Sequence, residues 1–224
     1  MRRLAIYDFC ETIANFQTAN AFIEFIIKHE NTPQIYRIIR SRALYSRLGV
    51  KQLTNIFGYF SNYYFDKFFL LRALKGMARD QIEAYGIRFY DEVISHNLIE
   101  KSINCVRNDI KEGLDIIVVS ASYEPVLKPF CESFGIKLLI TNLFEYDSED
   151  RFTGKIIGKD CIGKRKVDKL KTMFRNQNVE YCKSYSDSKS DIPILTCSQK
   201  GIVISKNQHQ KWIDRYSFEE LIWK

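Results

Sequence analysis

LDIIVVSASYEPVLKPFCESFGIKLLITN, residues 114–142, is the stretch on which the fold turns. An apolar run reads as a fully buried strand, a helical segment follows until Gly135 stops it, and a second apolar run reads as another strand. The alternation continues downstream. Residues 143–158 read as a hairpin, 164–177 as a helix, 179–187 as a strand, 190–198 as a short helix, 201–205 as a strand, and the C-terminus as a helical segment. Upstream, residues 101–113 read as a helix ending at Gly113, and residues 4–7 as a short buried strand closed by Asp8. Repeated strand–helix units imply a doubly wound, Rossmann-like α/β fold with a parallel sheet, in which ligands sit beyond the carboxyl ends of the strands.

Between the first strand and this core the character changes. Helix-period stretches at 19–30, 52–76 and 79–94 dominate, with few strand signals and one proline, Pro33. The expected organisation is an α/β core of residues 1–13 and 98–224, interrupted after its first strand by an all-helical cap of residues 14–97.

A chain of 224 residues that is 46% hydrophobic can bury a sizeable core, which argues against disorder. Part of the formal charge of +7 lies between Lys28 and Lys51, where Arg37, Arg40, Arg42 and Arg47 interleave with Ile, Leu and Tyr at helical spacing. That run reads as a basic solvated helix face, or as a contact for an anionic substrate, a membrane surface or nucleic acid; no RNA- or DNA-binding motif supports the last. The cysteines (Cys10, Cys105, Cys131, Cys161, Cys182 and Cys197) form no CxxC pair and have no His at metal-ligand spacing. They read as reduced thiols of a cytoplasmic protein. The N-terminus runs straight into a strand, unlike a secretory leader, and no apolar run is long enough to span a bilayer.

Polar residues gather just past the expected strands: Asp8 after the first, Ser120 in the next, Asp187 and Asp191 after the strand at 179–187, and Lys166 near the start of the helix before it. Singly, each has an ordinary explanation, the aspartates as helix caps, Ser120 as a turn hydroxyl and Lys166 as a solvated helix residue. Together, three carboxylates around one crevice call for a divalent cation, and oxygen ligands suit Mg²⁺. A metal, an ammonium and a hydroxyl would receive phosphate oxygens, leaving one carboxylate to attack phosphorus.

In order and spacing these residues resemble the haloacid dehalogenase-like hydrolase superfamily, in its helical-cap branch that includes phosphoserine phosphatase. The first motif, Asp-x-Asp-x-Thr, stands here as DFCET; the second is the Ser of VVSAS, the third the Lys of CIGKRKV, and the fourth the aspartates of YSDSKSD. A common form of the third, Cys-x-Gly-x-x-Lys-Val, aligns Cys161 and Gly163 with Lys166. SYSDSKSDIPIL and CIGKRKV are also similar to the bacterial phosphatidylglycerophosphate phosphatase group. The resemblance implies a phosphatase using Mg²⁺, with Asp8 as the nucleophile that forms an aspartyl-phosphate and as a metal ligand. It gives the backbone carbonyl of Cys10 to the metal, with Asp187 and Asp191 completing or orienting its shell. Ser120 and Lys166, with Ala121 beside them, would hold the phosphoryl oxygens. Apart from the resemblance, the density of Arg37, Arg40, Arg42 and Arg47 on one helical stretch suggests that one or more of them, Arg40 among them, binds an anionic part of the substrate. A small phosphorylated metabolite is expected in preference to a lipid phosphate, because the insertion has nothing as apolar as a membrane-embedded cap.

Cys10 stands where phosphatases of this family carry the aspartate that protonates the leaving alkoxide and then activates water. A thiol with a reference pKa of about 8.5 does neither well, and general acid–base assistance is worth roughly 10²- to 10⁴-fold. Three readings follow: a working phosphatase with a good leaving group or another acid such as Glu11, a slow or phospho-trapped phosphotransferase, or a non-catalytic protein that binds Mg²⁺ and phosphate. Cys10 as nucleophile is disfavoured because DFCETIA has no arginine or glycine, and His29, His96 and His209 lie outside the motifs.

Overall fold

The computed structural model describes residues 1–30 and 70–224. Along the chain the elements are β1 (Arg2–Tyr7), α1 (Thr18–His29), α2 (Arg79–Phe89), α3 (Glu100–Lys111), β2 (Asp115–Tyr123), α4 (Glu124–Ser133), β3 (Leu138–Asn142), β4 (Phe144–Tyr146), β5 (Phe152–Ile156), α5 (Lys164–Met173), β6 (Val179–Ser186), α6 (Ile192–Leu195), β7 (Lys200–Ser205) and β8 (Glu219–Ile222). Six strands form one sheet in the order β3-β2-β1-β6-β7-β8, every neighbouring pair parallel. Strands β4 and β5 form a separate antiparallel hairpin. The chain winds from β1 through β2 to β3 in one direction and from β6 through β7 to β8 in the other. Strand order therefore reverses at β1, and a crevice opens beyond its carboxyl end.

Alternation along β1 divides the core into two layers. Leu4 and Ile6 pack with Ile117, Val119 and Val203 under Leu170 of α5 and Leu195 of α6. Ala5 and Tyr7 face the other side, in a cluster that includes Val106 of α3 and Leu127 and Phe130 of α4. That second cluster also takes in Phe22 and Ile26 of α1 and Ile82 and Phe89 of α2, so both helices are seated on the core. Gly86 permits the approach of α2 to α4: a Cβ there would stand 2.0 Å from the carbonyl oxygen of Pro125.

The strand–helix–strand unit at 114–142 forms as its sequence implies, and so does the hairpin. The helix expected over 79–94 is α-helical to Phe89 and finishes in a π-helical turn, Tyr90–Ile94. The C-terminus corrects the sequence reading. Instead of a helical segment there is a 3₁₀ turn, Ile213–Arg215, and then β8, which pairs in parallel with β7. The polar groups of β7 need a partner on that side, and the pairing overrides a Glu-rich local pattern. Arg37, Arg40, Arg42 and Arg47, and most of the stretch 52–76, lie outside the described residues. Among the described residues no helix is long and apolar enough to cross a membrane.

Candidate active site

β1 delivers Asp8 to the crevice. The Asp8 amide still donates to the Tyr185 carbonyl of β6, after which the chain turns tightly, the amides of Thr12, Ile13 and Ala14 all converging on the carbonyl of Phe9. Glu11 adopts a left-handed φ of 56° in this turn, a conformation uncommon outside glycine. Phe9 is fully buried edge-on to Phe130 of α4, which fixes the turn to the core.

Lys166, in the first turn of α5, is the only buried lysine or arginine among the described residues. Its Nζ donates to Asp8 Oδ1 at 2.7 Å and to Asp191 Oδ2 at 2.5 Å. Asp191 also accepts from Ser186 Oγ at 2.7 Å, while its other oxygen, Oδ1, is buried with no hydrogen-bond partner among the described residues. Thr12 joins the remaining carboxylates. Its Oγ1 lies 3.4 Å from Asp8 Oδ2 and 3.3 Å from Asp187 Oδ1, and it accepts from the Asp187 amide at 3.0 Å. Ser120 is buried near the end of β2, where its Oγ accepts from the Ser122 amide.

Asp8, Cys10, Ser120, Ala121, Lys166, Asp187 and Asp191 all line one cleft of about 360 Å³, with Glu11 and Gln17 at the same walls. Residues from four separate segments thus converge, whereas Arg40 lies outside the described residues. Sequence reasoning missed the bridging role of Thr12, although Thr12 stands in the first motif. It also missed Thr18, which lies outside the motifs, and Ser122, which closes the quoted VVSAS but is not its motif serine; both stand behind Cys10.

The electrostatics are those of a site short of positive charge. Burial pushes Asp8 up to about 6, against the pull of Lys166. Burial, then the charges of Asp8 and Glu11, push Asp187 up to about 8. Burial opposes the charge on Lys166, but Asp8 and Asp191 outweigh it and raise its pKa, so it stays protonated. That one ammonium is committed to Asp8 and Asp191, and Asp187 has no cationic partner among the described residues. No three His, Cys, Asp or Glu side chains there are arranged as a metal site. The donors on offer are two carboxylates and backbone carbonyls, which fits a hard cation that keeps several waters. Cys10 is pushed up to about 11 by burial and then by Asp8, which makes it a thiol at neutral pH and removes it as a nucleophile.

A doubly wound sheet with a buried ammonium between carboxylates at its switch point defines an α/β protein whose candidate ligand site lies beyond the carboxyl ends of its strands. Residues 5–196 match the haloacid dehalogenase-like hydrolase family. The chain belongs to that family. A histidinol-phosphatase of Neisseria meningitidis is 25% identical over 219 residues, covering 92% of this chain and 91% of its own. A Bordetella pertussis protein of unknown function has the same fold, with a TM-score of 0.78 at 20% identity over 99% of this chain and 98% of its own. A substrate-bound phosphoserine phosphatase superposes with a TM-score of 0.59 at 15% identity over 98% of this chain and 93% of its own. Family and relatives support a phosphoric monoester hydrolase, as the motifs imply.

Proposed function

We propose that the chain hydrolyses a phosphomonoester through an aspartyl-phosphate on Asp8. The observation that carries this reading is the Lys166 ammonium 2.7 Å from Asp8, in a cleft that Ser120 also lines. An Asp8 oxygen attacks phosphorus and the ester P–O bond breaks, its electron pair leaving with the alcohol oxygen, which takes a proton from solvent. Water then attacks phosphorus, its proton passes to solvent, and the bond between Asp8 oxygen and phosphorus breaks, returning the carboxylate. Lys166 and Ser120 hold the phosphoryl oxygens, and Thr12 fixes Asp8 relative to Asp187. Phosphatases of this family generally use Mg²⁺. Here Asp8, Asp187 and the Cys10 carbonyl would hold the ion, with Asp191 behind them, and when bound it neutralises charge on the phosphoryl group.

The substrate is a small phosphorylated metabolite met in the cytoplasm. The insertion of residues 14–97 would serve as the cap of the 1–13 and 98–224 core and carry the choice of substrate. Cys10 favours a second reading on the same site, a phosphotransferase in which slow dephosphorylation lets the phospho-enzyme persist. Phosphate release from alkyl, aryl and acyl phosphates, in Mg²⁺ or EDTA, tests both. Metal-dependent release that disappears in Asp8→Asn supports the hydrolase. Stable labelling of Asp8 without release supports the transferase, and neither signal with any ester would end the catalytic reading.

A further inference from the structure

A chain of buried hydroxyls stands behind Cys10. Thr18, the first residue of α1, is fully buried, and its Oγ1 lies 3.2 Å from Cys10 Sγ and 2.8 Å from Ser122 Oγ. Each of these three groups carries one hydrogen, so either donation runs one way along the chain, in one of two directions, or Cys10 and Ser122 both donate to Thr18 and leave the buried Thr18 hydrogen without an acceptor. In the first direction, Cys10 donates to Thr18 and Thr18 to Ser122. The Ser122 hydrogen then has no acceptor: Ser122 is fully buried, and among the described residues its Oγ meets only Thr18. A buried donor left without an acceptor bears its full desolvation cost. In the second direction Ser122 donates to Thr18, Thr18 donates to the Cys10 sulfur, and both hydroxyl hydrogens are used. The thiol hydrogen is then free, on a residue that lines the cleft.

We propose that Thr18, itself oriented by Ser122, is a positioning residue that holds the Cys10 sulfur as an acceptor and turns the thiol hydrogen into the cleft, toward the leaving-group oxygen. The inference rests on the reading of Cys10 as the residue beside the leaving group. The thiol keeps its proton and donates a hydrogen bond, so no bond is made or broken at sulfur. Its help is greatest where most charge develops on the departing oxygen, in an alkyl rather than an aryl ester.

Vibrational spectroscopy of the S–H stretch tests the direction of the chain without turnover. Subtracting the Cys10→Ala spectrum isolates the Cys10 band from the other thiols. The expected band is that of a non-donating thiol, moves down when orthovanadate fills the cleft, and does not rise in Thr18→Val. A band that is low in the free protein and rises in Thr18→Val would show Cys10 donating to Thr18 and overturn the proposal. In the kinetic arm, Thr18→Val is expected to lower kcat on an alkyl phosphate roughly three- to tenfold, the size of one lost hydrogen bond. The fall on an aryl phosphate is smaller, and Thr18→Ser restores the alkyl rate. Adding Thr18→Val to Cys10→Ala should cost nothing further; an equal fall there would make Thr18 a packing residue and sink the idea. Should no ester turn over, the hydrolase reading fails and the vibrational result alone decides the inference.

Discussion

Lys166 sits between two carboxylates, and its neutral replacement separates stability from chemistry. Lys166→Met leaves Asp8 and Asp191 facing each other in a buried site, and removing one partner of a buried ion pair costs about 3–5 kcal/mol. Measured by urea denaturation in EDTA at neutral pH, that loss is expected in Lys166→Met and largely recovered in Lys166→Met/Asp191→Asn, while activity stays absent in both. A double variant no more stable than the single one would show that repulsion between the carboxylates is not the cause. At Cys10 the expected change is a gain. Cys10→Asp places a carboxylate where Thr18 already offers a hydroxyl, and kcat on an alkyl phosphate should rise by roughly 10²-fold, the lower end of general acid–base assistance. No rise, with metal-dependent activity intact, would mean that some other group already serves the leaving oxygen. At this scale the sequence was legible where a functional side chain sits at a strand end, because an ionisable residue closing an apolar run has little structural reason to be there. Asp8 and Asp187 were singled out that way, and the structure brings both to one cleft. Thr18 and Ser122 were not, since a buried hydroxyl inside an apolar segment looks like any other small residue until its partners are known.

Elements were legible in proportion to how far local pattern and tertiary demand agree. In α4 they agree except at Pro129, inside the helix: Pro125 falls in the first turn, where its missing N–H costs nothing, and Val126, Leu127, Phe130 and Cys131 make one buried stripe that outweighs the interior proline. In β8 they conflict. Residues 217–222 carry two glutamates with Phe218, Leu221 and Ile222 at a spacing that suits a helix face, yet the open edge of β7 pairs with Glu219–Ile222 as a strand. The crossing of α2 over α4 left no signal in the sequence beyond a glycine inside a helix. Gly86→Ala checks that crossing. Its Cβ would overlap the Pro125 carbonyl, so the helices must separate, and a loss of about 1–3 kcal/mol is expected in urea denaturation. The helix-propensity gain of about 1 kcal/mol from the same change works the other way. A net stabilisation would therefore show that α2 does not lie so close to α4.

Across the whole molecule the middle of the sheet is held by Tyr7 of β1, the buried Asp109 of α3 and the half-buried Lys183 of β6, and its β8 edge by the chain that closes over β7. Tyr7 donates to Asp109, which also accepts from Lys183, so a carboxylate that is 1% exposed is fully engaged beneath the core. At the closing end, His209 bonds both Glu220 of β8 and Asp214 of the preceding turn, and Glu220 accepts as well from Ser205 of β7. This contact fastens the last strand and gives stability a pH dependence of known sign. The bonds to Glu220 and Asp214 raise His209 above its ordinary 6.5, so its contribution is complete below 6.5 and fades as pH rises through the raised value. Burial works against the charge on Glu220, but Ser205 and His209 outweigh it and hold its pKa below the ordinary 4.5. Its contribution is therefore complete above 4.5 and fades as pH falls through the lowered value. Between 4.5 and 6.5 both are in force. The difference in melting temperature between the wild type and His209→Gln should accordingly be greatest near about pH 5.5 and shrink steadily toward alkaline pH. A difference that is constant with pH would mean that His209 acts there by packing or neutral hydrogen bonding, and that β8 is held to the sheet by its backbone pairing with β7.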